Sequence, residues 1–241
     1  MFTTFVQLAY GKKLNMNKLI IRYVLEFLVI VIGISLSFYF EKQNAIAYKE
    51  DLKNQSLKRI LKNIEVDLND YSFNIEAHNM AIKSADWLYE KSNNLSLYSK
   101  DSIGYHLGIA TTINTIFVDN QEEYRALQNS GLIELIENDQ IVIGLQNKYT
   151  IHSFLKKIEE YIMKSKDPLF DFLFDNTKLV SREVNSLGLP YNRVFVGKKI
   201  PFNIIERINE SINWHSFYLK QVLKRKQKDE LLIELIDSEI K

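Results

Sequence analysis

"YVLEFLVIVIGISLSFYF" (residues 23–40) is the most apolar stretch of the chain, and Glu26 is its only charged side chain. A hydrocarbon layer about 30 Å thick needs roughly 20 helical residues at a rise of about 1.5 Å each. Residues 19–40 are long enough, and no charge interrupts residues 27–40. Arg22 and Glu26 stand four apart, so they share a helix face within ion-pair reach, in the first two turns where headgroups and water are close. A soluble core helix should show a polar stripe, but residues 27–40 offer only Gly33, Ser35 and Ser37. A cleaved export signal would explain the basic leader and the Ala45-Ile46-Ala47 tripeptide, yet Glu41 and Lys42 intervene and the helical pattern continues through the would-be cut. The stretch is therefore read as a retained transmembrane helix, 19–40, between a cytoplasmic tail, 1–18, and an extramembrane domain, 41–241.

Orientation is less sharply marked. Lys12, Lys13, Lys18 and Arg22 precede the span without any acid, but Lys42, Lys49, Lys53, Lys58 and Arg59 follow it, so the positive-inside count does not decide. Long downstream domains translocate largely regardless of such charges, which places the N-terminus in the cytoplasm and the domain in the periplasm or another extracytoplasmic space. Glu26 reads either as an interfacial carboxylate neutralised by Arg22 or as a contact to another transmembrane helix. Gly33 and Ser37 form a small-xxx-small pair that would let such a helix approach.

The whole chain has 241 residues, 46% hydrophobic and 25% charged, as in ordinary folded protein. Eight Gly and three Pro leave few tight turns and favour long helices. The absence of Cys excludes disulfides, thiolate nucleophiles and Cys-ligated zinc. A net charge of +1 gives no reason to expect nucleic acid as a partner. The expected class is all-α, with the transmembrane helix continuing into a long helix of an extramembrane bundle.

After the anchor, Leu57, Leu61, Ile64, Leu68, Tyr71, Ile75, His78, Ile82, Ala85 and Tyr89 repeat at spacings of three and four. This heptad seam predicts a long helix over about 41–91, ending at Ser92-Asn93-Asn94. One long helix of a bundle is preferred over a free coiled coil, because later helices also need their apolar faces covered. Asp101 is expected to cap a helix carrying Ile103, Leu107, Ala110, Ile113 and Ile116, and Asp119 with Glu122 to form a capping box. Gly131 reads as a left-handed helix stop, and a further helix should begin near Asn138 or Asp139. Pro168 should open another helix or kink this one. Residues 181–202 hold Gly188, Pro190, Gly197 and Pro201 and read as irregular, with a possible hairpin around Gly197 in "RVFVGKKIPF". A final helix is expected over about 203–240.

Two blocks, "LEFLVIVIGISLSFYFEK" and "EYRALQNSGLIELIENDQIVIGLQNKY", resemble a family of uncharacterised bacterial single-pass membrane proteins, a domain of unknown function. The match is carried by Glu26 and Ile32-Gly33-Ile34, then by a Tyr-x-x-Leu-x-x-Ser-Gly motif at Tyr124, Leu127, Ser130 and Gly131, followed by Leu135, Ile136, Asn138 and Tyr149. Family members often carry a Trp just beyond the span, where this chain has Glu41-Lys42-Gln43. The resemblance implies an anchor and a helical domain, and no activity. The motif reads as a packed corner between helices, or alternatively as a pocket lined by Tyr124, Arg125 and Tyr149.

No catalytic constellation is visible. His78, His106, His152 and His215 are scattered singly, and HExxH, phosphate-loop, GxGxxG and GxSxG patterns are absent. His78, on the seam, reads as a buried, hydrogen-bonded imidazole. The pairs Glu122-Glu123 and Glu159-Glu160, and the basic run Lys220, Lys224, Arg225, Lys226 and Lys228, read as solvated surface. The expectation is a non-enzymatic, membrane-anchored interaction or scaffold protein without cofactor or metal, meeting a protein partner or a second copy of itself. The alternative is an extracytoplasmic ligand-sensing domain acting through a partner membrane protein.

Overall fold

From residue 12 to 91 the sequence contains no proline and one glycine, Gly33, so nothing local stops a helix once it has started. In the computed structural model this segment lies within one α-helix, α1, Phe2–Lys91. The structure describes residues 2–181, 183–184, 188 and 192–240, with side chains from residue 16 onward; Pro190 lies outside the described residues. Among these the chain is all-α, with α1 followed by α2 (Lys100–Thr112), α3 (Glu122–Asn129), α4 (Asp139–Asn176) and α5 (Phe202–Glu239). Short 3-10 turns at Ser92–Leu97 and Leu132–Leu135 and two three-residue strands, β1 (Thr177–Leu179) and β2 (Arg193–Phe195), complete it.

Contacts divide the chain into two units, Met1–Leu52 and Lys53–Lys241. In the first, every described side chain from residue 16 to 49 is exposed, the Leu, Ile, Val and Phe of residues 19–40 included. It contains the one described stretch of helix long and apolar enough to cross a membrane. Arg22 Nε donates to Glu26 Oε1 at 2.9 Å, the pairing expected from their spacing.

The second unit is built on α4, α5 and the part of α1 from residue 53 on. Three apolar layers fix their directions. Leu57, Ile60 and Ile64 pack with Leu145, Leu232 and Ile236; Tyr71 packs with Leu155, Ile158, Tyr218 and Val222; Ala85 and Leu88 pack with Leu169, Leu173, Ile204 and Ile208. Numbers rise together along α1 and α4 and fall along α5, so α1 and α4 run parallel and α5 antiparallel to both. Two parallel helices need a return connection. It is supplied by α2, whose Ile103 and Leu107 start in the last layer, then Phe117 in the middle layer, then Tyr124 and Leu127 of α3 in the first.

Several local expectations are corrected. The cap of α2 is Ser99, whose hydroxyl accepts from the Ser102 N–H, not Asp101. This helix stops at Thr112, leaving Ile116 exposed. Asn120, not Asp119, accepts the Glu122 N–H at the start of α3, because the Asp119 carboxylate is engaged elsewhere. α4 continues through Pro168, so that proline does not open a new helix. The hairpin is not closed around Gly197: β2 pairs antiparallel with β1, Thr177 opposite Phe195 and Leu179 opposite Arg193. Gly104 lets this ribbon lie on α2, since a Cβ there would run into the Arg193 carbonyl oxygen. α4 begins at Asp139 and Gly131 adopts φ 73°, both as read from sequence; Asn138 caps α4 by accepting the Gln140 N–H.

The heptad seam is half right. Leu57, Ile64, Tyr71, His78 and Ala85 are buried, but the alternating positions are Ile60, Asp67, Asn74, Ala81 and Leu88. Leu61, Leu68, Ile75 and Ile82 are half-buried and Tyr89 is exposed. Both sets keep the three-four spacing; packing selected the one that buries an acid and an amide.

Candidate functional site

Polar residues occupy the middle of the three-helix interface on every strand of it. α1 contributes Asp67, Tyr71, Asn74 and His78, α4 contributes Lys148, His152, Glu159 and Lys166, and α5 contributes His215, Tyr218, Arg225 and Asp229, all buried. On each helix the spacings are three, four, seven or a close multiple, so these side chains share one face. At 1.5 Å per residue the spine extends roughly 16 Å along α1.

Its first half is an ion cluster. The Lys148 ammonium lies 2.6 Å from Asp67 Oδ2 and 2.8 Å from Asp229 Oδ2, with all three side chains almost completely buried. Arg225 Nη2 donates to Asp229 Oδ1 at 2.5 Å. Two cations therefore face two carboxylates, the condition under which buried charge is tolerable. Burial pushes the Asp67 carboxyl up to about 6, against the pull of Lys148.

Tyr71 stands beside this cluster with one proton and two acceptors, His152 Nε2 at 2.8 Å and Asp229 Oδ2 at 3.0 Å. Burial, aided by the Lys148 charge, pulls His152 down to about 3, so the ring is neutral at pH 7. Its Nδ1 faces Asp119 Oδ2 at 3.3 Å, which requires the proton on Nδ1 and leaves Nε2 to accept. Burial pushes Asp119 upward, but hydrogen bonds from Lys156 and Gln121 outweigh it and hold the carboxyl at about 2. Lys156 is half-exposed, so this chain of hydrogen bonds leads from the buried lysine to the surface.

The second half carries two imidazoles in contact. His215 Nδ1 and His78 Nδ1 are 2.8 Å apart, and His78 Nε2 is 2.8 Å from the Thr115 hydroxyl. His215 Nε2 is buried without a partner among the described residues. A buried N–H without an acceptor costs more than an unpaired lone pair, so His215 carries its proton on Nδ1 and His78 donates from Nε2 to Thr115. Burial, with Lys166 nearby, holds His78 at about 3 and His215 well below its usual value. Lys166 is 0% exposed and, among the described residues, donates only to the Ile113 carbonyl; burial pulls its ammonium down to about 7. Tyr218 donates to Glu159 Oε1 at 2.7 Å, an oxygen that also accepts the Phe117 N–H.

This geometry corrects three readings. Glu159 is a buried acceptor, Arg225 is a buried ion-pair partner, and His78, His152 and His215 are brought into one spine rather than scattered. Of the Glu122-Glu123 pair, Glu123 binds Arg59 and Ser56 across to α1. The signal available in the sequence was the helical spacing Lys148-His152 and Arg225-Asp229 between apolar neighbours. Among the described residues no group of three or more His, Asp or Glu is arranged to hold a metal ion.

The motif residues fall into separate places. Tyr124 and Tyr149 stack with ring centroids 4.5 Å apart, Leu127 is fully buried, and the Ser130 hydroxyl donates to the Ala126 carbonyl at 2.8 Å, beside Gly131. Arg125 does not join the tyrosines; it is exposed, bonds Gln121 Oε1 at 3.1 Å, and faces a cleft with Asp119 and Lys156. The block turns a corner between helices, and Tyr124 and Tyr149 line a surface cleft there with Gln146, Thr150 and Ser153, without Arg125. In the first unit, Glu26 is held by Arg22, and nothing lies within 4 Å of a Cβ built at Gly33, which shares its exposed surface with Ser37. No family model, curated protein or solved structure matches the chain.

Proposed function

We propose that this is a non-enzymatic, membrane-anchored helical interaction protein, held by residues 19–40 with its N-terminus in the cytoplasm and its bundle outside. The observation that carries the reading is the closed spine. Its acids, bases and imidazoles are buried and most are engaged with one another, only Arg225 reaching a surface cleft, whereas the apolar face of residues 19–40 is wholly exposed. Under this reading the anchor and the Tyr-x-x-Leu-x-x-Ser-Gly corner are those of the uncharacterised single-pass family that the sequence resembles. Glu26, Gly33 and Ser37 then supply the contact to a second transmembrane helix, from another copy or from a partner.

Crosslinking in the native membrane followed by mass spectrometry tests it. A reproducible partner or a homo-oligomer is expected; only random neighbours would remove the main support. Fusing a reporter active only outside the cytoplasm after residue 241 tests the orientation, and an inactive reporter overturns it.

One observation favours a second reading, ligand sensing through a partner membrane protein. A basic surface cleft reaches Arg225, and Arg225 is bonded to Asp229 in the spine. An occupant of that cleft would act directly on the buried charges.

A further inference from the structure

α4 and α5 leave between them a surface cleft of about 160 Å³. Asn147 and Thr150 line it from α4, and Gln221, Lys224, Arg225 and Lys228 from α5, with no carboxylate in the lining. Lys224 and Lys228 are four apart on α5, a like-charge spacing that is repulsive when nothing compensates it. Among the described residues neither lysine enters an ion pair. Asp229, the nearest acid along the helix face, is already divided between Arg225, Lys148 and Tyr71. The ion cluster beneath is balanced, two cations to two carboxylates, so the cleft itself carries an uncompensated charge of two.

Arg225 is what distinguishes this cleft from a pair of surface lysines. It is 3% exposed, it is fixed by Asp229, and its Nε is buried with no acceptor among the described residues. A planar guanidinium held in place with donors to spare, flanked by two ammonium groups and the Asn147 and Gln221 amides, matches a group that is doubly negative and rich in acceptor oxygens. We infer that this cleft binds a phosphate group, carried by a soluble phosphate or by a lipid headgroup. The inference rests on the sensing reading, and it supplies that reading with a ligand class. It also supplies a transmission step: an anion that draws on Arg225 weakens its hold on Asp229, which Lys148 and Tyr71 share.

The rate at which Lys224 and Lys228 are acetylated, read by mass spectrometry on the full chain in nanodiscs, tests it. Exposed Lys220 on the same helix is the internal reference. In discs of zwitterionic lipid, inorganic phosphate should slow both lysines by about tenfold once it stands near ten times its dissociation constant, leaving Lys220 unchanged. Discs containing phosphatidic acid, without added phosphate, form the second arm; protection confined to that arm identifies a headgroup. Gln221→Leu, which leaves the ion cluster intact, should weaken the protection. The inference is overturned if both lysines react like Lys220 in every arm, or if chloride at matched ionic strength protects them equally. The sensing reading fails separately: if phosphate binds but crosslinking to a partner is the same with and without it, the site exists and the sensing role does not.

Discussion

Two buried lysines in one helix should respond to the same substitution with opposite signs. Lys148 and Lys166 are both 0% exposed. Lys148 faces two carboxylates, whereas Lys166 donates to a single carbonyl and its ammonium is pulled down to about 7 by burial. A base whose folded pKa is depressed binds fewer protons folded than unfolded between the two values, so stability rises with pH through that window. With an ordinary value of 10.5 and a folded value of about 7, Lys166 costs about 4 kcal/mol at pH 7 and about 2 kcal/mol at pH 9. Lys166→Met removes that cost and strands the Ile113 carbonyl, worth about 1–3 kcal/mol. The variant should therefore be more stable by about 1–3 kcal/mol at pH 7, and should lack about 2 kcal/mol of the parent's gain between pH 7 and 9. Burial holds the facing His78 at about 3 and the facing His215 well below its usual value, so neither contributes in this window. Lys148→Met instead leaves Asp67 and Asp229 short of a cation and should cost about 3–5 kcal/mol. Urea unfolding of the full chain in nanodiscs at the two pH values measures both. The reasoning is refuted if Lys166→Met destabilises the protein, or keeps the parent's full gain from pH 7 to 9.

Acid should unfold the bundle early. His78 and His152 are held near 3, so stability is lost as pH falls below about 6.5; each costs about 2 kcal/mol by pH 5, His215 adds a loss of the same sign, and Asp67, whose raised pKa favours the folded state between about 6 and 4, offsets part of it. A net loss of at least about 2 kcal/mol between pH 7 and 5 is expected in thermal melts, and a flat profile would contradict the burial of these rings. Gly104→Ala drives a methyl into the Arg193 carbonyl oxygen, which belongs to backbone, and should cost about 1–3 kcal/mol, while Gly33→Ala, with nothing within 4 Å, should leave bundle stability unchanged. Glu26→Gln removes the ion pair with Arg22; an altered oligomeric state in native-membrane crosslinking marks a helix contact, and an unchanged one assigns Glu26 to the headgroup region.

What was legible in the sequence and what was not divides along a physical line. The apolar stretch, the long helices and the left-handed Gly131 are properties of neighbouring residues: hydrophobicity summed over residues 19–40, an absence of breakers from residue 12 to 91, and a residue type suited to φ 73°. The Arg22–Glu26 pair was legible because one helix turn fixes it. The seam on α1 was not, because two sets of positions three and four apart compete there, and counting apolar residues favours Leu61, Leu68 and Ile75 over Ile60, Asp67 and Asn74. The choice belongs to the partners: Asp67 is inside because Lys148 is there to meet it, and Lys148 is inside because Asp229 meets it too. None of the three looks buried alone, and each is buried only given the other two. The same reciprocity hid Glu159 and Arg225 among surface charges and separated His78 from His215, which are 137 positions apart and touch at 2.8 Å. A polar spine of this kind also removes freedom from the fold. Sliding α5 by one turn against α1 would set Asp229 away from Lys148 and leave charge buried without its partner, a penalty that an all-leucine seam would not impose.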